Sequence, residues 1–90
     1  MLEGTVEVVN HLGLHARAAA QLVRLAGTFR SSITLRRTDS DAYANAKSIL
    51  SVLTLAAPFG TLLNIDVDGE DESEAFKAVT AMFADGFGEM

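Results

Sequence analysis

The stretch Val6-Glu7-Val8-Val9-Asn10-His11-Leu12-Gly13-Leu14-His15-Ala16-Arg17-Ala18-Ala19-Ala20 changes its period halfway along. From Thr5, the residue before this stretch, to Val9 the chain alternates as a strand, with Val6 and Val8 on one face. From Ala16 it reads as a helix running to Phe29, with Ala18, Leu22, Leu25, Ala26 and Phe29 at helical spacing. His15 therefore sits at the mouth of a helix, two residues before Arg17. The first backbone N–H groups of a helix lack intrahelical partners, and the dipole there favours negative charge. Such a position is built to hold an anion. A neutral imidazole is also a nucleophile near pH 7, and a positive helix end disfavours its protonation. After phosphorylation the same helix end would stabilise a dianion. The free N–H groups of Ala16 and Arg17 would be the donors, and the Arg17 guanidinium is shaped for phosphate oxygens. The small residues Ala16, Ala18, Ala19 and Ala20 leave room for another protein's active site. Taken alone, His-x-Arg is a weak signal, and a histidine that merely caps a helix meets the same description.

The rest of the chain completes a sheet with helices. Ser31 to Arg37 reads as a second strand, with Ile33 and Leu35 inward. Thr38-Asp39-Ser40-Asp41 is a turn cluster, and Ala42 to Ala44 a short edge strand. Asn45 is placed to cap a second helix from Ala46 to about Leu53, and Pro58 marks the loop after it. Thr61 to Asp68 alternates with Leu63, Ile65 and Val67 inward, until Gly69. Asp71-Glu72-Ser73-Glu74 resembles a capping box and opens a third helix. That helix buries Ala75, Phe76, Val79, Met82 and Phe83 and ends at Gly86. The order is β-α-β-β-α-β-α, an α+β arrangement with the helices on one face of a four-stranded sheet and the other face wet. A ferredoxin-like sheet shares the first six elements. On that alternative the chain is a non-catalytic interaction domain and His15 is only a cap.

Composition bounds the function. Ninety residues, of which 49% are hydrophobic, make one small domain spanning residues 1–90. There is no cysteine, hence no disulfide framework or thiolate metal site. His11 reads as a loop residue, and the residues in view require no metal or cofactor. The N-terminal residues do not have the pattern of a signal peptide, and no apolar run approaches the roughly 18 residues of a spanning helix. A cytoplasmic, monomeric protein without membrane insertion is expected. A net charge of −5 disfavours nucleic acid. The charge is uneven: residues 1–45 hold five arginines against four acids, whereas Asp66, Asp68, Glu70, Asp71, Glu72 and Glu74 follow one another with no basic residue between. That acidic stretch reads as a solvated turn and helix start.

Leu12-Gly13-Leu14-His15-Ala16-Arg17 resembles the active-site signature of the histidine-containing phosphocarrier (HPr) family of the sugar phosphotransferase system. Lys47-Ser48-Ile49 resembles that family's second motif, and the likeness extends over the whole chain. Ala81-Met82-Phe83-Ala84-Asp85-Gly86-Phe87 is similar to the close of the nitrogen-branch paralogue (NPr). The resemblance implies an open-faced β-sandwich, its antiparallel sheet in the order 1-4-2-3 under three helices. It implies a phosphocarrier and not a turnover enzyme. Enzyme I would phosphorylate Nδ1 of His15 at the expense of phosphoenolpyruvate, and an enzyme IIA domain would take the phosphate. Ser48 matches the serine modified by HPr kinase/phosphorylase. The residues after it match an apolar docking patch. Ile49, Leu50 and Leu53 fall there, with Leu50 and Leu53 expected to be exposed, and Ala20 and Arg24 on the first helix are docking candidates, Arg24 as a charged rim. Two positions depart from the family pattern: Ala18 stands where the family usually has a proline, and Leu12 where sugar-branch members often carry Ser or Asn. The Asn10 to Gly13 run resembles the nitrogen branch, whose members would use the same His15 chemistry with regulatory partners.

Overall fold

The computed structural model describes residues 1–89. Strand β1 (Leu2–Glu7) leads to helix α1 (Ala16–Ala26); β2 (Ser32–Arg37) and β3 (Tyr43–Asn45) follow. Helix α2 (Ile49–Leu55), strand β4 (Leu62–Asp68) and helix α3 (Glu72–Ala84) complete the sandwich, and a short 3-10 turn covers Gly86–Gly88. The sheet is antiparallel in the order β1-β4-β2-β3. β4 lies between β1 and β2, with Val67 opposite both Leu2 and Ile33.

The alternating strands deliver the core. Val6, Val8, Ile33, Leu35, Leu63, Ile65 and Val67 are buried, and meet Ala18, Leu22 and Ala26 of α1, Val52 and Leu55 of α2, and Ala75, Val79 and Phe83 of α3. Leu25, Phe29, Phe76 and Met82 pack against this cluster while partly exposed.

Four local readings are corrected. β1 starts at Leu2, three residues earlier than the alternation suggests. Gly4 interrupts the apolar pattern because the Phe76 ring lies over it: a Cβ there would stand 2.7 Å from Phe76 Cζ. α1 ends at Ala26, and Phe29 reaches the core from the turn beyond. The second helix does not start at Ala46 under an Asn45 cap. Asn45 instead belongs to β3 opposite Thr34, and its Oδ1 accepts a hydrogen bond from Lys47 N (2.9 Å). Ser48 is the cap, its Oγ accepting from Ser51 N at 3.3 Å, so Ser48 precedes the first turn of α2 and does not sit within it. The capping box is also absent: Asp71 makes no side-chain cap bond. Its carboxylate accepts from Arg30 N, Ser31 N and the Ser31 hydroxyl, tying the start of β2 to the start of α3. These donors, the hydroxyl foremost, lower the Asp71 carboxyl to about 2.

Candidate functional site

Two interlocked turns set the position of His15. Gly13 N donates to Asn10 O (3.0 Å), and the buried Asn10 amide donates to Gly13 O (2.7 Å). Gly13 adopts a φ of +71°, which an L-residue avoids, and a Cβ would stand 2.7 Å from Ala57 O. Next, Leu14 N donates to Ala57 O (2.9 Å) and the Leu14 side chain is buried. The chain is thus pinned on both sides of the turn tip, where Leu12 is 71% exposed.

His15 then caps α1 in extended geometry, and its carbonyl accepts the first helical bond from Ala19 N (2.8 Å). Its Nδ1 faces the helix start and accepts a long hydrogen bond from Arg17 N (3.4 Å). Its Nε2 lies 2.6 Å from Glu89 Oε2. A carboxylate can only accept, so the neutral ring carries its proton on Nε2 and its lone pair on Nδ1. The unprotonated nitrogen therefore faces the backbone N–H of Arg17 at the helix start. Ala16 and Arg17 are exposed, and Leu12, His15, Ala16, Arg17, Gly88 and Glu89 line one open hollow. Among the described residues the Arg17 guanidinium makes no ion pair, and it lines the same hollow as His15 and Glu89. Ala18, in the first turn, is fully buried against the core, so its methyl group has a packing role as well.

Sequence reasoning did not find Glu89. It comes after the last apolar-periodic residue, and no spacing argument reaches it. The usable signal was Gly86-Phe87-Gly88. Phe87 is buried edge-on against Phe83, with ring centroids 5.0 Å apart, and this anchor turns Glu89 back over His15. The second oxygen of Glu89 accepts from the Asn10 amide (2.9 Å). Asn10, His15 and Arg17 together hold the Glu89 carboxyl below its ordinary range, the Asn10 hydrogen bond contributing most.

The remaining candidates lie elsewhere. Leu50 is 73% exposed and Leu53 and Ile49 are each 38% exposed, while Val52 and Leu55 supply the inward contacts of α2. Arg24 is exposed but flanks a separate depression with Gln21, Leu25, Thr28 and Met82, so it does not line the His15 hollow. Ala20 is half-buried. Ser48 and its neighbours lie outside that hollow too. His11 stacks on Phe59, with centroids 5.3 Å apart and planes 7° from parallel. Among the described residues no His, Asp and Glu cluster suits a metal ion. No helix there is long and apolar enough to cross a membrane.

An imidazole at a helix start on an open-faced sandwich, beside a guanidinium that makes no ion pair among the described residues, is the arrangement expected of a histidine phosphocarrier. Residues 2–85 match the family model described as the PTS HPr component phosphorylation site. The phosphocarrier protein HPr of Cupriavidus necator is 44% identical over 89 residues, covering 99% of this chain and 98% of that protein. The phosphocarrier protein NPr of Proteus mirabilis is 40% identical over 84 residues, covering 93% and 92%. The crystal structure of an HPr from Thermoanaerobacter tengcongensis superposes with a TM-score of 0.92 at 38% identity, covering 100% of this chain and 99% of that one. The chain belongs to the HPr family, the phosphocarrier proteins of the phosphotransferase system. These likenesses favour the phosphocarrier over the ferredoxin-like interaction domain.

Proposed function

We propose that Nδ1 of His15 accepts a phosphoryl group from phospho-enzyme I and passes it to an enzyme IIA domain. The observation that carries this is the direction of the ring: Nδ1 faces the open start of α1 while Nε2 is turned away onto Glu89. In the acceptance step the Nδ1 lone pair forms the new N–P bond. The bond from phosphorus to the donor breaks, and its electron pair stays with the donor. Arg17 N, which now donates to Nδ1, becomes available to a phosphoryl oxygen, as does Ala16 N. Arg17 supplies the charge that neutralises the dianion. Donation to the IIA domain is the reverse. The protein is consumed and regenerated stoichiometrically, so it is a carrier and not a catalyst.

Ile49, Leu50 and Leu53, with Ala20 and Arg24 on α1, form the docking surface for these partners in this reading. The exposure of large aliphatic side chains on a seven-residue helix supports it. Ser48 is the regulatory site for a kinase of the HPr kinase/phosphorylase type, since a phosphate there would meet the N-terminal charge of α2.

The test is incubation with enzyme I and labelled phosphoenolpyruvate, followed by mapping of the phosphate. His15→Ala is expected to fold normally and take no label. Labelling of that variant at the parent rate, or loss of labelling in His11→Ala instead, refutes the assignment.

A further inference from the structure

The Asn10–Glu89 pair lies outside the bond-making and bond-breaking steps at His15 Nδ1. Glu89 reaches His15 from 74 positions away in the sequence, and the fold strains to place it. Phe87, a bulky residue, holds a φ of +57° in the turn that presents it. The Glu89 side chain is only 16% exposed, and both of its oxygens are engaged, Oε1 by the fully buried Asn10 amide and Oε2 by His15. Asn10 cannot be turned over without loss, because the atoms facing its Nδ2 are both acceptors: Gly13 O and Glu89 Oε1.

We propose that Glu89, oriented by Asn10, is the positioning residue that makes Nδ1 the nucleophilic nitrogen of His15 and stabilises the charge the ring acquires on phosphorylation. The proposal rests on the phosphocarrier reading and adds a residue to it. The fixed carboxylate keeps the proton on Nε2, so the lone pair is held at Nδ1. As the N–P bond forms at Nδ1, positive charge spreads over the ring to Nε2–H, directly against Glu89. No proton need leave in either direction of transfer. The carboxylate lies on the opposite edge of the ring from the incoming phosphoryl group. Among the described residues, the charged groups facing the ring are Glu89 from the C-terminal turn and Arg17 from α1.

Glu89→Gln separates this role from a structural one. The Asn10 amide keeps the glutamine oxygen, which leaves the glutamine NH2 facing His15. That group donates, so the ring must accept at Nε2 and carry its proton on Nδ1. Chemical phosphorylation with phosphoramidate reads the consequence without any protein partner. By phosphorus NMR the parent is expected to give Nδ1-phosphohistidine, Glu89→Gln mainly the Nε2 isomer, and Glu89→Ala a mixture, all with melting temperatures close to the parent. Acceptance from phospho-enzyme I is expected to fall roughly tenfold or more in Glu89→Gln, the size of one charge-assisted hydrogen bond. The same isomer distribution in all three proteins, or acceptance by Glu89→Gln at the parent rate, overturns the proposal. A parent that accepts nothing from phospho-enzyme I would overturn the phosphocarrier reading itself, whatever the phosphoramidate isomers show.

Discussion

Gly13→Ala tests how firmly the His15 turn is built. Two glycines with positive φ make a matched pair: Gly13 at +71° and Gly60 at +88°. At Gly60 a Cβ meets nothing within 4 Å. Alanine there costs about 1–2 kcal/mol for the left-handed conformation, offset by about 0.4–1 kcal/mol of lost freedom in the unfolded chain. The net loss is below about 1.5 kcal/mol. At Gly13 the same Cβ would stand 2.7 Å from Ala57 O and 2.9 Å from Pro58 Cα, both backbone atoms that cannot swing aside. Relief requires segment 57–58 to move. That movement strains the packing by about 1–3 kcal/mol and weakens the Leu14 N to Ala57 O bond, worth about 1 kcal/mol. Gly13→Ala should therefore lose about 3 kcal/mol, against below about 1.5 for Gly60→Ala. For a domain of this size that is a fall in Tm of about 12–24 °C for Gly13→Ala, against less than about 6–12 °C for Gly60→Ala. Urea and thermal unfolding of the two variants, run in parallel, measure the difference. Equal losses would show that the close approach of Gly13 to residues 57–58 does not support the turn.

Other expectations follow from single contacts. Arg17→Ala should slow phosphoryl acceptance roughly tenfold to a hundredfold and Arg17→Lys less, as one charge-assisted hydrogen bond is worth about 1.5–3 kcal/mol; unchanged rates in both would remove Arg17 from the chemistry. Ser48→Asp should weaken enzyme I binding and lower the acceptance rate at His15 with little change in Tm, because aspartate is itself a good helix cap; undiminished acceptance or an unfolded variant counts against the docking surface. Asp71, whose carboxyl is lowered to about 2, stabilises the fold fully above its unfolded value of about 3.9, and this contribution is lost as pH falls through about 2. Asp71→Asn should be less stable at pH 7, and its stability should change less between pH 4 and 2 than the parent's, as acid titrations followed by circular dichroism would show.

What could be read from the sequence depended on the range of each signal. Leu63, Ile65 and Val67 alternate because one face of β4 is buried, and that rule is local. His15 was found for the same reason: its neighbours alone define a helix start. Boundaries failed where two residues competed for one role. Asn45 and Ser48 are both good caps, and only the pairing of Asn45 with Thr34 decides that Ser48 has the helix. Asp71 reads as a cap until Ser31, 40 positions away, takes its carboxylate. Gly4 is explained only by Phe76, on the other side of the molecule's chain order. Asn10 and Glu89 stayed hidden because their partnership depends on how the last turn folds back, a tertiary fact with no periodicity behind it.

The strand order has a consequence in time. The residues that shape the His15 turn bond to parts of the chain made much later: Val8 to Gly60 and Thr61, Leu14 to Ala57, and His15 itself to Glu89. β1 has its sheet partner in β4, so the closure of a long loop must precede any order at the histidine. A chain leaving the ribosome thus carries His15 early but gains the geometry described at that ring only once Glu89 has been made. Partly synthesised or locally unfolded molecules present an ordinary solvated imidazole, and the ring oriented by Glu89 is confined to the folded chain.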